Sequence, residues 1–233
     1  MPSSHESRIT SHGLLVTGTD TGVGKTHIAS GLLRAYVGRG ERAVGMKPVA
    51  AGAEHSPGGW INEDVVALRA AGNVPAPLAA VNPYCFEPPI APHIAANEAG
   101  VTIDLERLVA AYGELAALAD RVVVEGAGGF LVPLAASSDF GTLAARLGLP
   151  VVLVVGMRLG CINHALLTAE AIRGRGLVFA GWVANHIDPG MRRADENVAA
   201  IAERIAAPLL ARVPYGATGE TVARLLELGP LRA

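Results

Sequence analysis

The residues best suited to chemistry lie in one glycine-rich segment, Gly18-Thr-Asp-Thr-Gly-Val-Gly-Lys-Thr26. It follows the apolar run Leu14–Thr17 and precedes a helical pattern from His27 to Val37. In this context glycine backbone N–H groups can surround phosphate oxygens, and the N-terminus of the following helix adds partial positive charge. Lys25 can reach the β- and γ-phosphates of a nucleotide, and the Thr26 hydroxyl can bind Mg²⁺. The segment therefore predicts a P-loop formed by Gly22, Val23, Gly24, Lys25 and Thr26.

The spacing of this segment departs from the usual motif. A P-loop has four residues between its first glycine and the Gly-Lys pair, whereas Gly18 lies one place too early. The alternative is a glycine turn that only joins a strand to a helix. Because Lys25 and Thr26 follow directly, the P-loop interpretation is favoured.

Three further charged residues are candidates for the same site. Glu125 ends the apolar strand Val122–Val124, where a carboxylate can hold Mg²⁺ or its waters, although it could be a strand-end charge facing water. Lys47 closes the run Ala43–Met46 and could point into a phosphate crevice or simply be solvated. Asp64, at the start of the pattern Asp64–Ala71, could complete a metal site or only favour a helix N-terminus together with Glu63.

The elements that position these residues alternate along the chain. Short apolar runs predict strands, and between them lie helical patterns such as Asp104–Leu118 and Ile162–Arg173. The predicted strands are Leu14–Thr17, Ala43–Lys47, Arg121–Glu125, Val151–Val155, Val178–Ala184 and Leu209–Val213. Nearly continuous apolar strands indicate a sheet covered on both faces. We predict an α/β fold, a P-loop NTPase-like, doubly wound, mostly parallel sheet with helices on both faces.

Composition sets the limits of the assignment. The 233 residues are 51% hydrophobic and 17% charged with a net charge of −2, which fits one sizeable domain with a large core. We predict a flexible N-terminal tail over 1–11 and a single domain over 12–233. No basic cluster suggests nucleic-acid binding, and no apolar run approaches the ~20 residues of a membrane span. The two cysteines, Cys85 and Cys161, are interpreted as reduced thiols in a cytoplasmic protein.

Eight motifs, in the same order along the chain, resemble the dethiobiotin synthetase family. They cover residues 16 to about 216 and are Val16-Thr-Gly-Thr-Asp-Thr-Gly-Val-Gly-Lys-Thr26, Met46-Lys-Pro-Val-Ala50, Val81-Asn-Pro-Tyr84, Pro92-His93, Val124-Glu-Gly-Ala-Gly-Gly129, Leu159-Gly-Cys-Ile-Asn-His164, Gly181-Trp-Val-Ala-Asn185 and Val213-Pro214. Many ATPases share a P-loop, whereas the Lys-Pro-Val, Glu-Gly-Ala-Gly-Gly and Leu-Gly-Cys-Ile-Asn motifs are much more specific.

The resemblance implies roles for individual residues. Thr26, Asp64 and Glu125 would form the Mg²⁺ shell around ATP, and Lys25, Lys47 and Thr21 would lie at the reacting centre. The ATP site would also include the residues after the predicted strand that ends at Glu125, namely Gly126, Ala127 and Gly128. Its purine end would be formed by Asn185, His186, Pro214, Tyr215 and Gly216, since an amide can pair with the adenine edge.

The resemblance also implies a substrate site shared between two subunits of a homodimer. Gly160, Cys161, Ile162 and Asn163, at a helix N-terminus, would bind the substrate carboxylate in the partner's active site. Ala51 and Asn197 would also contact the substrate. Family members often carry Ser at position 51 and at position 91, and some place Tyr at 197, so Ala51, Ala91 and Asn197 are expected to change substrate affinity more than reaction type.

The implied reaction is ATP-dependent ring closure. CO₂, supplied as CO₂ or bicarbonate, would add to an amine of 7,8-diaminononanoate to give a carbamate. ATP would phosphorylate the carbamate, and the second amine would displace phosphate to form dethiobiotin.

Two alternative functions remain open from the sequence. One is another amide- or ring-forming P-loop synthetase, of the kind that acts on cobyrinic acid derivatives and usually carries a glutaminase domain. The other is a partition or membrane-positioning ATPase, which usually has a second lysine where this chain has Asp20.

Overall fold

The computed structural model describes residues 13–56 and 59–231, so the tail predicted over 1–11 lies outside the described residues. The strands of the described chain are β1 (Gly13–Gly18), β2 (Ala43–Met46), β3 (Val49–Ala51), β4 (Glu54–Ser56), β5 (Gly59–Ile61), β6 (Tyr84–Phe86), β7 (Arg121–Gly129), β8 (Pro133–Ala135), β9 (Ser138–Asp139), β10 (Val151–Met157), β11 (Phe179–His186) and β12 (Leu209–Val213).

The helices of the same ranges separate these strands. They are α1 (Lys25–Val37), α2 (Glu63–Ala71), α3 (Leu78–Val81), α4 (Pro92–Glu98), α5 (Leu105–Leu118), α6 (Phe140–Leu147), α7 (Cys161–Gly174), α8 (Ala194–Ile205) and α9 (Gly219–Leu225), followed by a 3₁₀ turn at Gly229–Leu231.

Six parallel strands form the central sheet in the order β12-β11-β10-β1-β7-β2. β1 lies between β10 and β7, and the chain adds strands on both sides of it. The strand order therefore reverses at β1, and parallel sheets of this kind bind ligands at the carboxyl ends of the strands beside such a reversal. The loop after β1 is the predicted P-loop, so the topology places it at that position.

Both faces of the sheet are covered by helices. In β1, Leu14 and Val16 pack with residues of α1, α2 and α9, whereas Leu15 packs on the other face with residues of α5 and α6. Further along the second face, Leu153 and Val155 of β10 pack with α7 and α8. Alternate residues of a strand point to opposite faces, so both sets must be apolar. This explains the unbroken apolar runs, and the predicted doubly wound fold is confirmed.

The strand and helix boundaries follow local chemistry. Asp104 caps α5 by accepting a hydrogen bond from the Glu106 backbone N–H at 2.9 Å. β7 continues past Glu125 to Gly129, where it pairs with Gly18 after a register shift. Three short two-stranded pairs, β3–β6, β4–β5 and β8–β9, lie outside the central sheet. They have too few residues to show a periodic pattern, and the sequence did not predict them.

None of the described helices has the length and apolar character needed to cross a lipid bilayer. Both cysteines are free thiols, Cys85 half-buried and Cys161 buried.

Candidate active site

The P-loop is a tight turn between β1 and α1. Gly22 and Gly24 have φ of 74° and 89°, a left-handed conformation that glycine adopts at little cost. A side chain at Gly24 would also place its Cβ 2.2 Å from the Asn185 Nδ2. Both glycines are therefore required by backbone conformation, and the turn leads directly into the N-terminus of α1.

The unusual position of Gly18 has a steric explanation. A Cβ at this residue would lie 2.6 Å from a methyl group of Val23, which is buried beneath the loop. Gly18 thus permits close approach of the loop to the end of β1 rather than facing phosphate. The early glycine is compatible with a P-loop because it serves a packing function.

Four side chains form a charged cluster at the carboxyl ends of β2 and β7, which we define as Thr26, Lys47, Asp64 and Glu125. The Lys47 Nζ lies 2.7 Å from Asp64 Oδ2 and 2.7 Å from Glu125 Oε1. The Thr26 Oγ1 lies 2.6 Å from Asp64 Oδ1 and 2.8 Å from Glu125 Oε1. The structure therefore brings together all three predicted metal ligands and places the ammonium of Lys47 between the two carboxylates.

Burial decides between the alternatives that the sequence left open. Glu125 is 0% exposed and Lys47 is 3% exposed, so neither is a solvated strand-end charge. Asp64 lies in the first turn of α2, but its carboxylate contacts Lys47 and Thr26 rather than only the helix backbone. An unpaired buried charge is costly, and in this cluster the ammonium of Lys47 pairs with the carboxylates of Asp64 and Glu125.

The electrostatics of the cluster keep Lys47 charged. Burial by itself lowers the pKa of Lys47, but the carboxylates of Glu125 and Asp64 outweigh it and hold that pKa above the ordinary lysine value. Burial likewise raises the pKa of Asp64, and the Lys47 ammonium reverses the effect, so that the pKa of Asp64 lies below its ordinary value. The pair is thus a salt bridge in its charged form.

Lys25 differs from Lys47 because no carboxylate of the described residues forms a salt bridge with it. Its Nζ donates a hydrogen bond to the Asp20 carbonyl oxygen at 3.0 Å, and the residue is 7% exposed. Burial and the nearby charge of Lys47 lower the pKa of Lys25 to about 8. A buried cation that forms no salt bridge within the described part of the chain favours binding of an anion, as expected for a phosphate site. These two are the only lysines in a sequence with 19 basic residues.

The segment after Glu125 forms the opposite wall of the P-loop. The Gly126 carbonyl oxygen lies 3.4 Å from the Lys47 Nζ. Gly128 has a φ of 64°, and a Cβ there would lie 3.6 Å from the Thr21 hydroxyl. Thr21 is exposed and faces this wall, with its backbone N–H bonded to the Asp20 carboxylate. Gly126, Ala127 and Gly128 therefore lie beside the predicted phosphate site.

The predicted purine end lies at the carboxyl ends of β11 and β12. The Asn185 side chain is buried, and its Nδ2 donates to the Val23 carbonyl oxygen of the P-loop at 2.8 Å. His186 is half-buried at the end of β11, and Pro214, Tyr215 and Gly216 are exposed after β12. Asn185 thus has a structural contact with the P-loop that the sequence did not predict, and its role toward a purine stays a prediction.

The predicted carboxylate site lies at the first turn of α7. Gly160 caps this helix with a φ of 96°, Cys161 is buried, and Asn163 is exposed. Leu159, next to the cap, is 93% exposed. Asn197 lies on α8, where its Nδ2 donates to the Arg193 carbonyl oxygen at 2.8 Å. Ala51 is half-buried at the end of β3.

Three polar residues of the site were missed by the sequence interpretation. The Asn82 Nδ2 donates to the Lys47 carbonyl oxygen at 2.6 Å, and Asn62 caps α2 beside Asp64. Arg158 pairs with Asp20 of the P-loop. Asn62 precedes Glu-Asp and could have been recognised as a helix cap. The contacts of Asn82 and Arg158 span 35 and 138 residues, and a single sequence gives no signal for them.

Comparisons with known proteins agree with this geometry. A family model described as an AAA domain matches residues 12–220. The ATP-dependent dethiobiotin synthetase BioD of Aromatoleum aromaticum is 58% identical over 215 residues, which cover 91% of this chain and 96% of that protein. The enzyme of the same name from Xanthomonas axonopodis pv. citri is 53% identical over the same shares.

Solved structures with the same fold are more distant. A chain of the MinC:MinD cell division complex of Aquifex aeolicus superimposes with a TM-score of 0.53 at 14% identity, covering 93% of this chain and 87% of that one. A ParA family ATPase from Chlorobium tepidum gives a TM-score of 0.51 at 13% identity, covering 92% and 91%. These likenesses support the P-loop NTPase fold alone, whereas the high-identity relatives confirm the resemblance found in the motifs. The chain therefore belongs to the family of ATP-dependent dethiobiotin synthetases.

Proposed function

We propose that this protein converts 7,8-diaminononanoate, CO₂ and ATP to dethiobiotin, ADP and phosphate. The observation that carries the proposal is the charged cluster of Thr26, Lys47, Asp64 and Glu125 beside the P-loop, in a chain that is 58% identical to a dethiobiotin synthetase. The route passes through a carbamate and a mixed carbamic–phosphoric anhydride. Such chemistry needs positioned reactants and neutralised charge, and it needs no side-chain nucleophile.

In this proposal the P-loop binds the phosphates of ATP. The backbone from Gly22 to Thr26 would surround the phosphate oxygens at the N-terminus of α1, where the helix dipole is favourable. Lys25, whose ammonium contacts the Asp20 carbonyl oxygen, would neutralise charge on the β- and γ-phosphates, and Thr21 would lie close to the transferred group. Asn185, His186 and the turn from Pro214 to Gly216 are proposed for the purine.

The residues of the cluster fit Mg²⁺. Two carboxylates and one hydroxyl supply the oxygen ligands that this ion prefers. The Glu125 Oε2 is buried and has no hydrogen-bond partner among the described residues, so it is an acceptor available to a cation. We propose that Thr26, Asp64 and Glu125 hold the ion, which when bound would neutralise charge on the β- and γ-phosphates of ATP.

Lys47 is proposed to act on the carbamate and on the transferred phosphoryl group. Its ammonium stays charged, it is buried, and it lies within the same cluster as the proposed metal ligands. A compact cation in that position stabilises negative charge that develops during transfer more than it stabilises bound ATP. This distinguishes its proposed role from that of Lys25.

The substrate end is proposed to form between two subunits. The exposed Leu159 lies beside the Gly160 cap at a helix N-terminus, a position that suits a carboxylate. Gly160 to Asn163 would then bind the carboxylate of the diamine held by the partner. Ala51 and Asn197 are proposed as further substrate contacts, without the hydroxyls that relatives carry there. A cytoplasmic location is proposed from the two free thiols.

The proposal is tested by omission. Purified protein with Mg²⁺ and ATP should release ADP only when both 7,8-diaminononanoate and bicarbonate are present, and mass spectrometry should detect dethiobiotin in equal amount. Release of ADP without the diamine but with DNA or phospholipid vesicles would instead indicate a partition or positioning ATPase.

A further inference from the structure

Asn62 is a buried side chain at the base of the β4–β5 hairpin, and it is 4% exposed. Its Nδ2 donates to the carbonyl oxygens of Ala51 at 3.2 Å and Gly52 at 3.3 Å. Its Oδ1 accepts from the Asp64 backbone N–H at 3.1 Å. One amide therefore joins the segment before the hairpin to the helix after it.

The segment at Ala51 and Gly52 is held by two sets of hydrogen bonds, and Asn62 donates one of them. On the other side, the N–H groups of Gly52 and Ala53 donate to the carbonyl oxygens of Pro88 at 3.2 Å and Phe86 at 3.0 Å. The carbonyl oxygens of Ala51 and Gly52 accept from the Asn62 amide. Gly52 has a φ of 79°, so the chain turns sharply at this contact. Without the amide, these two carbonyl groups lose their side-chain donor.

The other end of the amide contacts the charged cluster. The backbone N–H that Asn62 accepts belongs to Asp64, and the Asp64 carboxylate contacts Lys47 at 2.7 Å and Thr26 at 2.6 Å. The Asn62 side-chain amide therefore links the backbone at Ala51 to the backbone of Asp64, whose carboxylate belongs to the charged cluster.

We propose that Asn62 is a positioning residue that fixes the Ala51–Gly52 turn, and with it the diamine, relative to the charged cluster. The inference rests on the proposed function, because Ala51 is assigned to the diamine site there. Asn62 acts through the backbone of Ala51 and Gly52 and does not touch the substrate itself. Its two halves have separate effects: the Nδ2 orients the diamine segment, and the Oδ1 orients Asp64.

Two variants separate these halves. Asn62→Ser keeps an oxygen that caps the helix about as well as asparagine, but its hydroxyl is too short to reach both carbonyl groups. We expect the KM for the diamine to rise about tenfold, as for the loss of two modest hydrogen bonds, while kcat and the KM for ATP stay unchanged. Asn62→Ala removes both halves, so kcat should fall as well and more Mg²⁺ should be needed for half-maximal activity.

A second readout does not depend on turnover. Calorimetric titration of the nucleotide-free, Mg²⁺-free protein with 7,8-diaminononanoate should show about tenfold weaker binding to Asn62→Ser than to wild type. Asn62→Asp keeps the cap oxygen and replaces the donor with an acceptor, so it should weaken diamine binding at least as much. It serves as the test variant if Asn62→Ser does not fold.

Asn73→Ala is the matched control. The Asn73 side chain makes the same kind of backbone clamp at the amino edge of the sheet, accepting from Ala43 N at 2.9 Å and donating to the Glu41 carbonyl oxygen at 3.1 Å. It should lower thermal stability without changing any KM. The inference is overturned if the Asn62 variants bind the diamine as wild type does and lose only thermal stability, as Asn73→Ala does. Failure of the proposed function is a different result, namely wild-type protein that binds no diamine and forms no dethiobiotin.

Discussion

Two regions at the carboxyl edge of the same sheet differ in how far their side chains are buried. In the first region, after β1, β2 and β7, Lys25, Lys47 and Glu125 are buried, Thr26 and Asp64 are half-buried, and the charges of the cluster are paired within one chain. The region after β10 and β12, which we call the open edge and define as Arg158–Asn163 and Pro214–Gly216, is largely exposed, with Leu159 at 93% and Tyr215 at 62%. A site that performs chemistry must be pre-organised, whereas a surface that receives a base or a second subunit must stay open. This difference fits the proposed function, in which the first region carries the reaction and the second takes part in recognition.

The largest expected effect comes from removing the unpaired cation. Lys25→Ala should lower the rate of ADP formation about a hundredfold or more, because one cation is lost from a water-poor phosphoryl-transfer site. Circular dichroism should show an unchanged fold, since among the described residues the lysine side chain donates a single hydrogen bond, to the Asp20 carbonyl oxygen. Activity close to wild type in this variant would contradict the phosphate assignment.

Lys47→Ala tests the cluster itself. Single-turnover rates should fall about a hundredfold, as when one charge-stabilising group is lost from a transition state, while calorimetric ATP affinity, held by the P-loop, should weaken only modestly. Lys47→Arg should restore little, because a planar guanidinium does not fit the position of a compact ammonium between Asp64 and Glu125.

The same variant has a stability readout. Removal of Lys47 leaves two carboxylates without their cation, and breaking a buried pair in this way typically costs about 3–5 kcal/mol of unfolding free energy. Urea unfolding of the nucleotide-free protein at pH 7 should therefore show Lys47→Ala to be much less stable than Lys25→Ala. In the rate and affinity measurements on Lys47→Ala described above, equal losses of ATP affinity and of single-turnover rate would mean that Lys47 only binds the nucleotide.

The open edge is tested by mixing two inactive proteins. Lys47→Ala should be inactive through its own cluster, and Asn163→Trp should be inactive because it blocks the helix N-terminus offered to the partner. Asn163 is preferred to Gly160 because it is exposed and has no left-handed φ. In an equal mixture, half of the dimers are mixed and each contains one intact site, so activity should return to about a quarter of wild type. No recovery, with monomers in sedimentation analysis, would remove the shared site.

The smallest effect is expected at Asn185, which lies between the two regions. Asn185→Ala loses the hydrogen bond to the Val23 carbonyl oxygen, and we expect about 1 kcal/mol less unfolding free energy and a KM for ATP raised severalfold. kcat should not change, because Asn185 does not contact the charged cluster. A fall in kcat with unchanged KM would place Asn185 in the reacting centre instead.

How much the sequence revealed also differs between the two regions. The central strands and the P-loop were predictable because apolar runs and glycine spacing are local signals. Glu125, Lys47 and Asp64 were found as candidates. The burial of Glu125 and Lys47 and the contacts of Asp64 exclude a solvated charge or a helix cap alone, and they depend on packing between elements far apart in the chain. The roles of these residues stay predictions. The contacts of Asn62, Asn82 and Arg158 were missed because their partners are backbone groups or distant residues. The candidate residues of the open edge were named only from the family resemblance. Most of them are exposed in the single chain, so the structure adds little to that prediction.

The proposed function requires the charged cluster to promote transfer of the γ-phosphoryl group of ATP to a carbamate oxygen rather than to water. Rapid mixing of the protein and the diamine with freshly dissolved ¹⁸O-labelled bicarbonate and unlabelled MgATP tests it directly. If a carbamate is phosphorylated and phosphate then leaves, one ¹⁸O atom from the bicarbonate must appear in each phosphate released, in step with dethiobiotin. Phosphate that carries no label from bicarbonate while ADP accumulates would show that water is the acceptor and would contradict the account.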